Sequence, residues 1–465
     1  MNGATQIRRW TIAIAVCVLL WVGSFAWLDW FVVAANQQQT LTAEEASSTF
    51  VNVAFLEHRL QHHRLSTNFY GYVLFWLGSR VLGVSLFYGR VVKAVWISLL
   101  PVLMFLYLWR RKSLAWPYAM FAAALTVLIP GVISTGFLAM DTGMDAVFGM
   151  AALLLAGYSQ PRIRLISPLL LGTAILTYGS GLYFVPAVLY EWFRRSPSRV
   201  WWLWAGALLC APALAAILWW TNVQTLVVGG GKPSLTGIGP NLLSMALQLF
   251  WRGDSYYFFS NRRPALGNPL LAAAGVAGLW FARRESRDLL MLAGTAIMLY
   301  AITGGVIGVR RLVPLELALI CGVVLLTARL PKSVAGVAAV AALAVLMFSA
   351  VQQRKEIAEG RIVLPHDFEF RLLPGQTQQQ TFASLAAGGA MPTDGYEADR
   401  TGSVLYLLTG GRLPDFRTLT QATDAHGWSI KSDAPRFQWL RRRLAGHDNV
   451  LRGPNEPGVP SDRGQ

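Results

Sequence analysis

The chain alternates long apolar runs with short polar breaks, and the lengths of the runs decide its fold class. Residues 10–34 form the first run, long enough as a helix to cross about 30 Å of hydrocarbon. Further runs recur near residues 87–109, 115–135, 142–158, 164–177, 180–193, 200–220, 268–282, 288–304, 311–328 and 333–350. This pattern predicts an all-α polytopic membrane protein, a bundle of about eleven transmembrane helices. The runs at 164–177 and 180–193 are short for spans and are expected to turn at Gly179-Ser180-Gly181. Phe69–Leu82 is apolar but also short, with aromatic residues throughout and Arg80 near its end. It reads as a helix lying at the membrane surface, because counting it as a span would invert every later loop.

Charge then orients the bundle. Only 14% of the 465 residues are charged and the mean hydropathy is +0.44, whereas soluble domains carry about 25% charged residues. The net charge of +16 does not point to nucleic acid, since the basic residues fall in short clusters between apolar runs. Arg8-Arg9, Arg110-Arg111-Lys112, Arg162 with Arg164, Arg194-Arg195 with Arg199, Arg283-Arg284 with Arg287, and Arg329 with Lys332 occupy every second loop. The positive-inside rule places those loops in the cytoplasm and the others outside. The first run lacks a small-residue cleavage site before the polar loop and is expected to stay as a helix. Cys17, Cys210 and Cys321 lie within apolar runs and are read as packing residues.

Two regions are too polar for lipid. Residues 221–267, with Gly229-Gly230-Gly231 and Asp254, are expected to form an outside loop. The glycine run has no following Lys-Ser or Lys-Thr and no preceding strand, which rejects a phosphate-binding P-loop. From Gln352 the composition turns polar, so residues 1–350 form the transmembrane domain and 351–465 an extracytoplasmic region. That region is expected to hold a small folded part, including 402–409 and 437–444, and a disordered end from Gly453.

Carboxylates at the mouth of a membrane bundle are rare and expensive, so each is a candidate for chemistry. Glu44 and Glu45 open the first outside loop; Thr42 with Glu45 has the spacing of a capping box, which favours Glu44 as the base. Asp141 stands at the start of the fourth helix as a candidate N-cap, and Asp145 follows one turn deeper on an otherwise apolar helix. Arginines on the outer side oppose the topological bias. Arg262-Arg263 and Arg310-Arg311 could hold a phosphate through their bidentate forks, or snorkel to headgroups. His58 and His62 share a helical face beside Glu57, a pattern that would suit a divalent metal, but with no third ligand in view a solvated polar face is the better reading.

Taken in order, these features resemble the GT-C glycosyltransferases, in particular the family 39-like group of protein O-mannosyltransferases and the bacterial aminoarabinose transferase of lipid A. The likeness covers roughly residues 10–330 and rests on Glu44-Glu45, Phe69 to Gly83, Arg90, Ala139-Met140-Asp141, Leu171 to Pro186, and Arg310-Arg311-Leu312-Val313-Pro314. The family more often has an aspartate in its acidic pair, and Tyr178 stands where its lysine follows the fifth helix.

The resemblance implies transfer of a sugar from a polyprenyl-phosphate donor to a glycan, lipid or protein acceptor at the outer face of a bacterial inner membrane, with no nucleotide sugar. Glu44 or Glu45, with Asp141, would be catalytic. Asp145, Tyr178, Arg262, Arg263, Arg310 and Arg311 would bind substrate. A transporter or scramblase of polyprenyl-linked glycolipids could use the same residues as a pathway, but such proteins often show internal repeats, and none is visible here.

Overall fold

A computed structural model describes residues 3–37, 45, 65–66, 69–83, 86–140, 142–195, 199–219, 226–227, 237–251, 263–303, 311–359, 429–430 and 451–452. They are mostly helical, and extended backbone among them is limited to two pairs of two-residue strands. One pair joins Leu65–Ser66 in parallel to Leu226–Val227, so the first loop touches the loop after the 199–219 helix.

Four helices are long and apolar enough to cross a membrane: Thr11–Asn36, Phe87–Arg111, Arg199–Ile217 and Lys332–Ala358. A fifth crossing is available if Trp116–Leu128 and Pro130–Gly136 act as one span, bent by 58°. The bend has a plain cause, because Pro130 lacks an amide hydrogen and holds Ile129 extended (φ −71°, ψ 137°). The other expected spans coincide with shorter helices, among them Met144–Ala156, Pro269–Phe281 and Val313–Thr327. At 1.5 Å per residue a helix of this size covers only about 20 Å, less than the bilayer core, so length alone does not make it a span.

The chain runs back and forth between two ends. At one end the basic clusters meet: Lys112 pairs with Asp288 at 2.6 Å, Arg329 with Glu285 at 3.2 Å, and Arg111 with Glu191 at 2.5 Å. At the other end Asn36, Arg90, Ala139, Asp145 and Ser180 are joined by hydrogen bonds through Glu45 and the 139–145 turn. Alternate loops therefore gather as the arginine pattern requires.

The tightest helix pair is Pro269–Phe281 against Val313–Thr327, which meet at Gly275, Gly278 and Gly322 with backbone against backbone. A Cβ at Gly278 would overlap the Gly322 carbonyl, so no side-chain rotation relieves it. Small residues are what allow such approach where lipid supplies no hydrophobic drive. Gly278→Ala is expected to cost about 1–3 kcal/mol, seen as a lower melting temperature of the detergent-solubilised protein, while Gly294→Ala, which meets nothing within 4 Å, should leave it unchanged.

Three expectations need correction. The region 221–267 is not loop throughout: Ile238–Phe250 is a helix. It docks because Asn241 donates to the Ala301 carbonyl at 2.8 Å and Gln248 to the Tyr300 hydroxyl at 3.2 Å. The last helix does not stop at 350 but continues to Ala358, held by Gln353 donating to Ser134 at 3.1 Å and by a bidentate pair of Arg263 with Glu356 at 2.8 Å. The fourth helix begins at Met144 after Gly143 (φ 84°), so Asp145 lies in its first turn rather than deep in it. Phe69–Leu82 is a helix, anchored by the Tyr70 hydroxyl donating to the Pro212 carbonyl at 2.8 Å. The segments 402–409 and 437–444, and the end from Gly453, lie outside the described residues.

Candidate active site

Of the candidate residues, Glu45, Asp145, Tyr178, Arg263 and Arg311 are described; Glu44, Asp141, Arg262, Arg310, His58 and His62 lie outside the described residues. Glu45 is fully buried and carries a bidentate pair with Arg90: Nε donates to Oε1 at 2.9 Å and Nη2 to Oε2 at 2.8 Å. Oε1 also accepts the Ala139 amide at 2.8 Å, and Arg90 Nη1 donates to the Asn36 side chain at 3.2 Å. The residue thus pins the first loop to the end of the first helix, to the 86–97 helix and to the turn before Met144. Through that bond the chain neighbours of Glu44 and of Asp141 are brought together.

Lys93, one turn beyond Arg90, is also fully buried and donates to the Met140 carbonyl at 2.6 Å and to the Thr142 carbonyl. Both cations of this helix face therefore bear on the residues Ala139, Met140 and Thr142, Arg90 through Glu45 and Lys93 directly. Asp145 accepts the Gly143 amide at 3.0 Å and the Ser180 hydroxyl at 2.5 Å, which ties the start of its helix to the short 3₁₀ turn Gly179–Phe184.

Arg311 completes the group. Its Nε donates to the Tyr178 hydroxyl at a long 3.4 Å, and its guanidinium lies 5.8 Å from the Tyr178 ring centre. Tyr183 and Tyr300 are also within electrostatic range, and Tyr183 in turn senses Asp145. The side chain is 9% exposed, yet no carboxylate pairs with it among the described residues. Arg311 is thus a nearly buried cation ringed by phenols, an arrangement that leaves its charge for an anion to balance unless a residue outside the described ones does so. Arg263 does not share this property, since Glu356 occupies both arms of its fork.

An apolar groove lies between two neighbouring helices. Pro186, Leu189, Tyr190 and Phe193 on one helix and Met291, Gly294, Thr295 and Met298 on its antiparallel neighbour line about 480 Å³. Pro186 and Met298 are close in the chain to Tyr183 and Tyr300, and Phe193 and Met298 are exposed.

The sequence reading singled out neither Lys93 nor Ser180, Tyr183, Tyr300 or Glu316. Glu316 is fully buried five residues after Arg311, lies against Gly131 at the bend, and has no donor for either oxygen among the described residues. Its signal was visible as the sole acid of an apolar run, a placement that marks function more often than packing. No group of three or more His, Cys, Asp or Glu side chains arranged for a metal occurs among the described residues.

No family model matches the chain, and no curated protein matches it significantly.

Proposed function

We propose that the protein is a GT-C type membrane glycosyltransferase that takes a sugar from a polyprenyl-phosphate carrier and passes it to an acceptor outside the cytoplasm. The observation that carries this reading is Arg311: a nearly buried guanidinium without a carboxylate partner among the described residues, ringed by tyrosines of which Tyr183 and Tyr300 are close in the chain to Pro186 and Met298 of the apolar groove. A polyprenyl phosphate has the matching halves. Its phosphate sits on Arg311 and the tyrosines, and its chain lies along the groove between the two helices, open to lipid.

In this reading the bundle has about eleven crossings, with its basic end in the cytoplasm and its acidic turn outside. The short helices cross as members of a packed bundle rather than by their own length. The resemblance of the sequence to the family 39-like enzymes supports the same assignment.

The acidic pair divides its work. Glu45 is a positioning residue, because its oxygens already accept from Arg90 and the Ala139 amide. Glu44 is left as the general base that takes the acceptor's proton as its oxygen attacks the anomeric carbon. The bond from that carbon to the carrier's phosphate breaks, and the charge gathering on the phosphate is stabilised by Arg311. Asp141 helps place the acceptor, and Asp145 with Ser180 holds the turn beneath it.

Arg311→Ala is expected to weaken binding of polyprenyl phosphate to the purified protein by about 1.5–3 kcal/mol, the scale of a hydrogen bond to a charged group. Arg311→Lys should recover part of it, since the charge returns without the fork. Unchanged affinity in the alanine variant would remove the anion seat and, with it, the main support for a lipid-phosphate donor.

A further inference from the structure

We infer that the basic end of the bundle carries a second anion site, on Arg194 and Arg195, that binds the phosphate headgroup of an anionic phospholipid. Three guanidinium groups gather there around one carboxylate, and a fourth stands next to them. Glu191 Oε2 accepts from Arg111 Nη2 at 2.5 Å and lies 3.4 Å from Arg195 Nε and 3.6 Å from Arg194 Nη2. Arg164 joins them by donating to the Arg195 carbonyl at 2.7 Å, with its guanidinium 5.5 Å from the Trp192 ring centre. Four cations less one anion leave an excess of three positive charges, and the charged neighbours that act on Arg164 and Arg195 are otherwise arginines.

The described residues do not resolve this excess among themselves. Arg111 Nε, Arg164 Nε and Trp192 Nε1 are buried without an acceptor among the described residues, and the one shared carboxylate oxygen already faces three arginines. Crowded like charges at the edge of a low-dielectric bundle need an external anion. The reachable part of the cluster is defined by exposure. Arg111 and Arg164 are locked inside, whereas the Arg194 side chain is 52% exposed and that of Arg195 28%.

What surrounds the two arginines selects a lipid over a soluble anion. Phe193, beside Arg194 in the chain, is 72% exposed and packs on Trp202 at 4.5 Å, and Val200, Leu203 and Trp204 on the next helix also point outward. Free phosphate gains nothing from such a face. An anionic phospholipid uses both parts, its phosphate on the guanidinium pair and its upper acyl chains on the aromatic face, at the level where interfacial tryptophans sit.

The test uses the purified full-length chain with phosphatidylglycerol, phosphatidylcholine or inorganic phosphate, read by native mass spectrometry and by thermal unfolding. The parent is expected to retain phosphatidylglycerol and melt higher with it, and to do neither with phosphatidylcholine. The double variant R194A/R195A should hold phosphatidylglycerol about tenfold or more less well while melting as the parent does in phosphatidylcholine. The double variant R194K/R195K, which keeps the charge, should retain part of the preference. Equal retention of both lipids by the parent, or undiminished phosphatidylglycerol on R194A/R195A, would overturn the site. A stabilisation reproduced by inorganic phosphate alone would overturn the lipid as its ligand.

Discussion

Glu44→Gln is expected to lower sugar transfer by about 100-fold or more while leaving the fold and the bound carrier in place. The amide keeps the size of the side chain and its capacity to accept a hydrogen bond, but it cannot take the acceptor's proton. Glu45 cannot substitute, because moving its carboxylate toward an acceptor would strip Arg90 of a bidentate partner inside the bundle. The measurement is transfer of labelled sugar from a polyprenyl-phosphate donor by the purified variant, alongside its binding of unlabelled polyprenyl phosphate. Loss of rate with retained binding fits a base. A Glu44→Gln protein that works at the parent rate would end that assignment, and a transporter, which moves its lipid without breaking the glycosidic bond, should release no transferred sugar even in the parent. Asp141→Asn should also slow transfer, through placement of the acceptor or of the first loop.

Much of this architecture was legible because it follows from period and charge. Runs of apolar residues mark helices, and arginine clusters in alternate loops mark one end of the bundle; the pairs Lys112 with Asp288 and Arg329 with Glu285 fall where that alternation requires. The same reasoning found the helix Phe69–Leu82, because its apolar and aromatic run is unbroken by Pro. The helix Ile238–Phe250 was hidden by its surroundings of glycine, proline and asparagine, and by polar residues on its buried face, where Asn241 and Gln248 find partners on another helix. The bend at Pro130 was available from the residue itself, but a single apolar run conceals it.

The site was legible only as a set of suspects. Asp145, Tyr178 and Arg311 were singled out separately, yet Tyr178 and Arg311 are 133 positions apart and nothing in their spacing joins them. The tyrosines around Arg311 look like any aromatic residue near a membrane surface until the fold collects them. Glu45 was singled out by its place in an acidic pair, but its bidentate partner lies 45 residues away, where no spacing announces it.

That partner leads to the second large effect. Arg90→Ala is expected to destabilise the protein by about 3–5 kcal/mol, the scale of removing one partner of a buried ion pair. Glu45 would remain buried with the Ala139 amide but without its bidentate cation, and Asn36 would lose the donor that ties it to the 86–97 helix. Glu45→Gln should cost a comparable amount, because it removes the carboxylate that Arg90 holds through two hydrogen bonds. Combining the two should cost clearly less than the sum of the single losses, since both changes break the same bidentate pair. Thermal unfolding of the three variants in one detergent gives the cycle, and transfer rates measured well below each melting temperature separate fold from chemistry. A positioning residue predicts that Glu45→Gln loses stability and rate together and that lower temperature recovers part of the rate. If Glu45→Gln melts like the parent and yet is inactive at every temperature, then Glu45 rather than Glu44 takes the proton, and its pairing with Arg90 is a resting arrangement that breaks when the acceptor binds.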